Sequence, residues 1–321
     1  MFIRIERQRI KLFFFKTIAV LLAVIVTVLG LETAMRLGGY TPAYINPLRS
    51  FHVKDTLIGW KGKKNFTGRF KRPSFDAIIK QDSNGFRLHE FDHPEATKRI
   101  IVFGDSFTWG WGIGQGKVFT DRMNLELPDY RIINRGINGS GTVMQYALFE
   151  DEWREAIGRD DTVTIAFFHN DFEDNATASK DRLYAKIDGD EIVLVPPQAE
   201  TLAHPLWAMI KSGSYFINFL DYSLNVLKQN LKKNAMVRNA IFNTDPLFLR
   251  DAQAITRLFL KRFQEACRER DARFVVALIP DQCEIGEGNG ETEERIQYVK
   301  QNRAAFVEIA NELEISYLDL Q

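Results

Sequence analysis

The chain has 321 residues, of which 45% are hydrophobic and 26% are charged, an ordinary balance for a globular protein. The 42 basic and 42 acidic residues cancel, so no overall positive field attracts nucleic acid, and nucleic acid is not expected as a partner. The sequence has no zinc-type spacing of Cys or His, no Walker A loop and no dinucleotide-binding fingerprint, so no metal or organic cofactor is predicted. Its two cysteines, Cys267 and Cys283, are either paired or free.

Residues 12–31 are apolar almost without interruption, which matches the roughly 20 residues of a membrane-spanning helix. Five basic residues lie within the first 16 positions, whereas Arg36 alone closely follows the apolar stretch. The positive-inside rule therefore places the N-terminus in the cytoplasm and the main domain outside it. A cleaved signal peptide and a buried core helix are the alternatives, but no convincing Ala-x-Ala-like cleavage site is present. We predict a cytoplasmic stub and single-pass anchor over residues 1–36, with the lipid bilayer as a partner.

Residues 37–98 are predicted to form a linker followed by a small β-rich preface. Two glycines and two prolines before residue 50 are typical of a linker. From about residue 51 to residue 91, short strand-like segments alternate with turn signals such as Asn84 and Gly85. No group in this segment has a catalytic spacing, so we expect it to pack on the main domain without contributing to a site.

The stretch from residue 100 to residue 110 organises the main domain, which is predicted over residues 99–321. β-Branched and aromatic residues up to Phe103 predict a buried strand, and the strand stops at Gly104. Ser106 follows the strand, and a helical pattern resumes at about residues 117–127. A serine on such a strand-to-helix turn exposes its hydroxyl, and its own N–H points at the group under attack. Ser106 is therefore the candidate nucleophile.

Two further predicted strands end in loops of the same kind. The strand at residues 131–135 runs into a glycine-rich turn that contains Gly139, and the strand at residues 161–168 runs into a loop that contains Asn170. A helix is predicted between them, at residues 142–157. Strands that alternate with helices predict a parallel sheet covered on both faces. Because ligands bind at the carboxyl ends of such strands, these loops are expected to converge with Ser106.

The remaining residues complete the predicted fold. Residues 172–245 interrupt the alternation with a β-hairpin at 183–195 and a helical stretch at 204–233, which is expected to form a lid over the cleft or to lie against the bilayer. The later elements are a helix at 246–270, a strand at 273–279, a helix at 291–313 and a final strand at 315–321. We predict an α/β fold, a three-layer flavodoxin-like sandwich with a parallel sheet, preceded by one transmembrane helix.

Three short blocks resemble the motifs of the SGNH/GDSL hydrolase family. The segment Gly104-Asp105-Ser106 is similar to the first block, which supplies the nucleophile. Gly139 matches the glycine of the second block, whose backbone N–H faces the oxyanion, and Asn170 matches the asparagine of the third block, whose amide is another oxyanion donor. The resemblance covers about residues 55–321 and implies the sandwich fold and attack by Ser106 on an acyl carbonyl.

The same resemblance assigns two acidic residues to the loops. Asp105 and Asp171, which adjoin the nucleophile and the third-block asparagine, are expected to shape these loops rather than to take protons. Phe168 stands where the family usually has a glycine, two positions before Asn170. This difference from the family affects the expected conformation of the third loop more than the assignment of Asn170.

A histidine base is the part of the family's machinery that is missing. In the family this base lies in an Asp-x-x-His motif near the carboxyl terminus, but none of the five histidines lies after His204 or has that spacing. We therefore expect the sequence to be a fragment that ends before the motif. His169, beside Asn170, is an alternative base, and a loop histidine with satisfied hydrogen bonds is the simpler interpretation.

The anchor and the family resemblance together predict a membrane-anchored, extracytoplasmic serine esterase, acyl hydrolase or O-acyltransferase. The expected substrate is a small acyl ester or an acylated glycan, or an ester on an envelope lipid. The alternative is a catalytically silent anchored domain that binds envelope polymer or a protein partner. Ser106, Gly139 and Asn170 are the predicted catalytic residues under the first interpretation.

Overall fold

The computed structural model describes residues 2–46, 48–198, 205–234, 243, 245–286 and 293–321. The chain divides into two compact units, each described below by itself. The helical unit comprises residues 1–47, 71–73 and 203–237, and the sheet unit comprises residues 48–70, 74–202 and 238–321. The predicted domain boundaries stay a prediction.

The helices of the described residues are α1 (Phe2–Leu37), α2 (Ser106–Trp109), α3 (Phe119–Glu126), α4 (Thr142–Glu152), α5 (Asp171–Ala176), α6 (Pro205–Gly213), α7 (Tyr215–Asn234), α8 (Pro246–Glu269) and α9 (Glu293–Glu312). The strands are β1 (His52–Asp55), β2 (Gly59–Gly62), β3 (Thr67–Arg72), β4 (Phe75–Lys80), β5 (Lys98–Gly104), β6 (Tyr130–Gly136), β7 (Asp161–Phe167), β8 (Tyr184–Asp188), β9 (Glu191–Val195), β10 (Arg273–Leu278) and β11 (Tyr317–Asp319).

A five-stranded parallel sheet forms the centre of the sheet unit. Its spatial order is β6-β5-β7-β10-β11, and all of its neighbours pair in parallel. Numbered along the chain, this order is 2-1-3-4-5, the flavodoxin-like order of an open α/β sheet. The predicted fold class is therefore confirmed. The order reverses between β5 and β7, and such a switch point is where ligands bind in these sheets.

Both faces of the sheet are covered, which makes three layers. Phe103 and Val163 belong to a fully buried cluster with side chains of α4, α8 and α9. Val102 and Ile132 point to the other face and pack with Met123 of α3. Because both faces are buried, β5 and β7 are rich in apolar residues, the pattern from which they were predicted, whereas β6 buries the polar Asn134 and Arg135.

Three antiparallel pairs lie outside the parallel sheet, namely β1 with β2, β3 with β4, and β8 with β9. The last pair is the hairpin predicted at residues 183–195. The first two pairs form the predicted β-rich preface, whose Phe51 and Phe70 are fully buried. The Phe51 and Phe70 rings both form T-shaped contacts with the Trp109 ring, with centroid distances of 6.2 and 6.0 Å. The preface therefore packs against α2, the helix that begins at Ser106.

Within the described part of the chain, one helical segment, Lys11–Leu37, is long and apolar enough to cross a membrane, with a mean hydropathy of 2.7.

In the helical unit, the end of α1 is hydrogen-bonded to the start of α7. The Glu32 carboxylate accepts hydrogen bonds from Ser214 Oγ at 2.9 Å and from the backbone N–H groups of Tyr215 and Phe216 at 3.1 and 3.0 Å. These N–H groups would otherwise have no partner at the start of a helix. Glu32 thus fixes the start of α7 to the end of α1.

The helical stretch predicted at residues 204–233 consists of two helices, α6 and α7, and its first residue lies outside the described residues. The break falls at Ser214, whose Oγ accepts a hydrogen bond from the backbone N–H of Ile217 at 3.2 Å. A serine in this position caps the start of the next helix. The apolar pattern continues across the cap, so it does not reveal the break.

Both thiols are free in this structure. Cys267 is buried in α8, whereas Cys283 is partly exposed in the loop after β10. Burial raises the pKa of the Cys267 thiol to about 12, which disfavours the reactive thiolate.

Candidate active site

Ser106 is the first residue of the short helix that follows β5. Asp105 precedes it as the helix cap, and its Oδ1 accepts a hydrogen bond from the Phe107 backbone N–H at 2.8 Å. The chain turns from strand to helix within two residues, as the sequence predicts. Ser106 is half-buried at this turn, at the carboxyl end of β5.

Two glycines let α2 approach the ends of the strands. Gly104 and Gly136 are paired in register across β5 and β6. A Cβ atom at Gly104 would lie 2.2 Å from Thr108 Oγ1, and a Cβ atom at Gly136 would lie 2.3 Å from the Trp109 backbone nitrogen. No side chain fits at these distances, so the helix that carries Ser106 rests directly on the backbone of the sheet.

The loop with Gly139 is hydrogen-bonded to Gly104, at the end of β5. The Ile137 backbone N–H donates to the Gly104 carbonyl at 2.9 Å, and Ser140 Oγ donates to the same oxygen at 3.1 Å. Gly139 lies between these two residues with φ of 69°, in the left-handed region that favours glycine. The predicted second-block glycine is therefore beside the turn of Ser106.

Asn170 lies at the carboxyl end of β7 and immediately precedes α5. Its Nδ2 donates a hydrogen bond to Asp174 Oδ2 at 3.2 Å. Asp171 is fully buried, and its Oδ2 accepts the Phe168 backbone N–H at 3.0 Å. Phe168, which replaces the family's usual glycine, packs its ring against Phe107 with centroids 4.5 Å apart. Phe168 thus joins the third loop to α2, the helix that begins at Ser106.

Hydrogen bonds and one ring contact connect the loops of the three predicted site residues. Ser106 Oγ donates to Asp105 Oδ2 at 3.4 Å, and the ring of Phe107, the next residue, packs on Phe168 of the Asn170 loop. Arg182 Nη1 donates to Asp174 Oδ1 at 2.5 Å and to the Gly139 carbonyl at 3.1 Å. Since Asp174 also accepts from Asn170, the loops after β5, β6 and β7 are held together at one edge of the sheet.

Burial governs the charge of the carboxyl groups in this network. It raises the pKa of Asp105 to about 6, and the nearby Asp174 adds to the shift, whereas hydrogen bonds from the Phe107 N–H and the Asn170 side chain oppose it. Burial and the neighbouring Asp105 raise the pKa of Asp171 well above its ordinary value. Burial also raises the pKa of Asp174, although the Arg182 guanidinium opposes this shift. Burial thus disfavours the charged form of each of these carboxyl groups, and for Asp174 the ion pair with Arg182 opposes this effect.

We expect replacement of Asp105 by asparagine to change how stability depends on pH. The folded pKa of Asp105, about 6, lies above its ordinary 3.8, so its stabilising protonated form is present at low pH and lost as the pH rises through about 6. Asparagine keeps the capping oxygen and is uncharged throughout. The stability of Asp105→Asn relative to the parent should therefore rise from about pH 4 to about pH 7, by up to about 3 kcal/mol.

Urea unfolding of both proteins at the two pH values measures this difference. Asp245→Asn is the matched control, because Asp245 also caps a helix, with Oδ1 accepting the Leu247 N–H at 3.0 Å, but is exposed. We expect a smaller change with pH in the control. A stability difference for Asp105→Asn that is the same at both pH values would contradict the assignment of a neutral buried carboxyl.

His169 is positioned by a carboxylate rather than by Ser106. Its Nε2 lies 2.9 Å from Asp281 Oδ2, and Arg295 Nη2 holds the same oxygen at 3.0 Å. Burial lowers the pKa of His169, although the Asp281 carboxylate opposes this shift. The Phe168 ring contacts both the His169 ring and the Phe107 ring, with centroids 4.1 and 4.5 Å away. In the described residues, the hydrogen-bond partner of Ser106 Oγ is Asp105.

The structure also brings residues to the site that the sequence pattern does not reveal. Arg182 lies in the insertion, where no motif distinguishes it from a surface arginine. Trp60 comes from the preface, and its Nε1 donates to the Asn138 carbonyl at 3.0 Å. The preface therefore packs on the main domain as expected, and β2 also brings this indole next to the Gly139 loop.

The comparisons with known proteins concern the fold. No protein-family model and no curated protein matches this chain. Among solved structures, the chain is similar to a member of the lipolytic protein G-D-S-L family from Veillonella parvula, with a TM-score of 0.37, 11% identity, and coverage of 70% of this chain and 78% of the other. It is also similar to AlinE4, an SGNH-hydrolase family esterase (TM-score 0.35, 11% identity, 69% and 75% coverage), and to the acetyl xylan esterase AlAXEase (TM-score 0.35, 13% identity, 69% and 77% coverage). The fold assignment itself rests on the strand order.

Proposed function

We propose that this chain is an SGNH-type serine esterase or acyl hydrolase, with Ser106 as its nucleophile. The observation that carries the proposal is that Asp174 accepts from the Asn170 amide and from Arg182, which also donates to the Gly139 carbonyl. The two proposed side-loop donors are thereby held together next to the Ser106 turn, at the strand ends where open α/β sheets bind their ligands.

In the proposed reaction, Ser106 Oγ attacks the acyl carbonyl carbon and gives up its proton to a general base. The carbonyl oxygen becomes an oxyanion, which the backbone N–H groups of Ser106 and Gly139 and the Asn170 Nδ2 group stabilise. Collapse of this intermediate expels the alcohol and leaves an acyl-serine, which water or a sugar hydroxyl then attacks. The acceptor decides between hydrolysis and acyl transfer.

The acidic residues have supporting roles in this proposal. Asp105 caps α2 and Asp171 holds the Phe168 N–H, so both carboxyl groups fix loop backbone. The family resemblance assigns the base to a histidine of an Asp-x-x-His motif rather than to either of them. His169 is not assigned this role, because among the described residues the hydrogen-bond partner of Ser106 Oγ is Asp105 and neither ring nitrogen of His169 bonds to it.

Covalent labelling tests the proposal directly. We expect the full-length protein to react with a fluorophosphonate probe, because an activated serine with oxyanion donors attacks phosphorus as it attacks an acyl carbon. Mass spectrometry of the digested protein should locate the adduct on Ser106. Protein unfolded in urea before exposure is the control. No adduct, or an adduct on another serine such as Ser140, would contradict the proposed nucleophile.

A catalytically silent binding domain is the second candidate. It is favoured by the Ser106 hydrogen bond, whose acceptor among the described residues is a carboxyl group and not an imidazole. The labelling experiment separates the two, since a silent domain is not labelled. Under either function we propose that the apolar segment Lys11–Leu37 anchors the protein in a membrane with the sheet unit on the extracytoplasmic side.

A further inference from the structure

A cavity of about 390 Å³ lies in the sheet unit beside the Gly139 loop. This volume is in the range of small-molecule binding pockets, about 300–1,000 Å³. Asn138, Trp60 and Arg182 are among the residues that line it. Asn138 belongs to the loop itself. Arg182 donates to the Gly139 carbonyl and Trp60 donates to the Asn138 carbonyl. The Trp60 ring would lie 3.5 Å from a Cβ atom at Gly139. The cavity therefore adjoins a proposed oxyanion donor.

The walls of this cavity carry buried polar atoms that lack a partner. Asn138 is only 3% exposed, yet within the described residues neither its Nδ2 nor its Oδ1 has a hydrogen-bond partner. His52 also lines the cavity, and its Nε2 is buried and unpaired in the same way, as is Nε of Arg182. A buried polar group without a partner is rare in folded proteins. These atoms are thus available to a ligand.

The chemistry of these atoms indicates what the ligand is. The Asn138 amide both donates and accepts, as a hydroxyl does. Burial lowers the pKa of His52 to about 4, so its ring is neutral near neutral pH, and the hydrogen bond with the Leu48 backbone leaves Nε2 as the free atom. The Arg182 charge is already met by Asp174. The free groups therefore match uncharged hydroxyls rather than a phosphate or carboxylate.

A hydrocarbon chain does not satisfy these groups. Each buried donor or acceptor left unpaired against an acyl chain weakens binding by about tenfold or more. A sugar ring pairs its hydroxyls with them and lays its apolar C–H face on an indole such as that of Trp60. We propose that this cavity binds the uncharged sugar ring of an acylated glycan, so that the ester cleaved or formed at Ser106 is on a saccharide. The identification of the substrate class rests on the proposed esterase function.

Binding measured without catalysis tests the proposal. The full-length Ser106→Ala protein, held in a phosphocholine detergent free of sugar, is titrated with xylotetraose, cellotetraose and chitotetraose while saturation-transfer NMR follows the ligand. We expect saturable binding of at least one tetrasaccharide. The affinity should fall about tenfold or more in Asn138→Leu and in Trp60→Leu, each made in the Ser106→Ala background. Thermal unfolding checks that each variant is folded, and Trp60→Leu decides if Asn138→Leu is not.

Trp111→Leu is the matched control, because Trp111 is an exposed tryptophan that does not line the cavity. We expect its affinity to equal that of the Ser106→Ala parent. Three outcomes would overturn the proposal: no tetrasaccharide binds, the cavity variants bind as well as the control, or dodecanoic acid binds in place of the sugars and is lost in the cavity variants. None of these alters the fluorophosphonate result at Ser106, so failure of the glycan site is distinguishable from failure of the esterase function.

Discussion

Replacing Ser106 by alanine is expected to lower kcat/KM for p-nitrophenyl acetate by about 10³-fold or more. The variant keeps the loops around the site, since the Asp105 cap uses Oδ1 to hold the Phe107 N–H and does not need the Ser106 hydroxyl. It loses the atom that forms the covalent bond to the acyl group. What remains is acceleration by the oxyanion donors acting on water.

The measurement is release of nitrophenolate by the purified full-length protein and the variant at equal concentration. Ser74→Ala is the matched control, because Ser74 is an exposed serine in the turn between β3 and β4. We expect the control to keep the parent's rate. Equal rates for the parent and Ser106→Ala would remove Ser106 from the mechanism, whatever its position in the fold.

Replacing Asn170 by alanine is expected to lower kcat by about 10²–10³-fold with little change in KM. In the proposed mechanism the Asn170 amide donates to a charge that develops only in the transition state, so its loss is expected to affect kcat more than ground-state binding. The variant also loses the hydrogen bond to Asp174 Oδ2, so a second substitution is needed to separate catalysis from loop structure.

Asn170→Asp provides that separation. Aspartate has the shape of asparagine but places an acceptor where the amide donated, next to carboxyl groups whose pKa values burial already raises. Loss of kcat comparable to that of Asn170→Ala is the expected result, measured with the same ester and with thermal unfolding to confirm that the variant is folded. Activity near the parent's in Asn170→Asp would exclude the amide as an oxyanion donor.

The strand ends were predictable because local patterns and one general rule suffice for them. The apolar runs before Gly104 and Phe168 predict buried strands, and alternation with helices predicts parallel pairing. The carboxyl ends then share one edge, which is why the loops with Ser106, Gly139 and Asn170 meet. Their catalytic roles stay a prediction, but their proximity is a property of the fold.

The contacts that hold those loops together were not predictable, because they join residues far apart in the chain. Arg182 binds both Asp174 and the Gly139 carbonyl, and no periodicity in the insertion distinguishes this arginine from its neighbours. Trp60 reaches the Asn138 carbonyl across 78 positions of sequence. Such pairs depend on tertiary packing, and the pattern of residues within one segment does not show which distant segment it will contact.

Phe168 is a different case, because the sequence shows the departure but not its consequence. A glycine at this position would leave the Phe107 ring without its aromatic neighbour, whereas Phe168 meets it at 4.5 Å between centroids. The exchange of glycine for phenylalanine therefore adds a packing contact between two loops of the site. The sequence alone does not distinguish this packing from a displaced loop, since a side chain larger than glycine is compatible with both.

The contact of α2 with the sheet keeps the Ser106 turn in place independently of the segments that surround it. At Gly136 the backbone of α2 lies directly on the backbone of the sheet, and at Gly104 the small Thr108 side chain fills the gap, so no large side chain separates α2 from the strand ends. The surrounding segments, including the preface and the insertion, are then free to vary in length and composition while the reacting atom stays in place. Under the proposed function, substrate preference could change by remodelling the walls, whereas a residue larger than glycine at these two positions would displace the turn that carries Ser106.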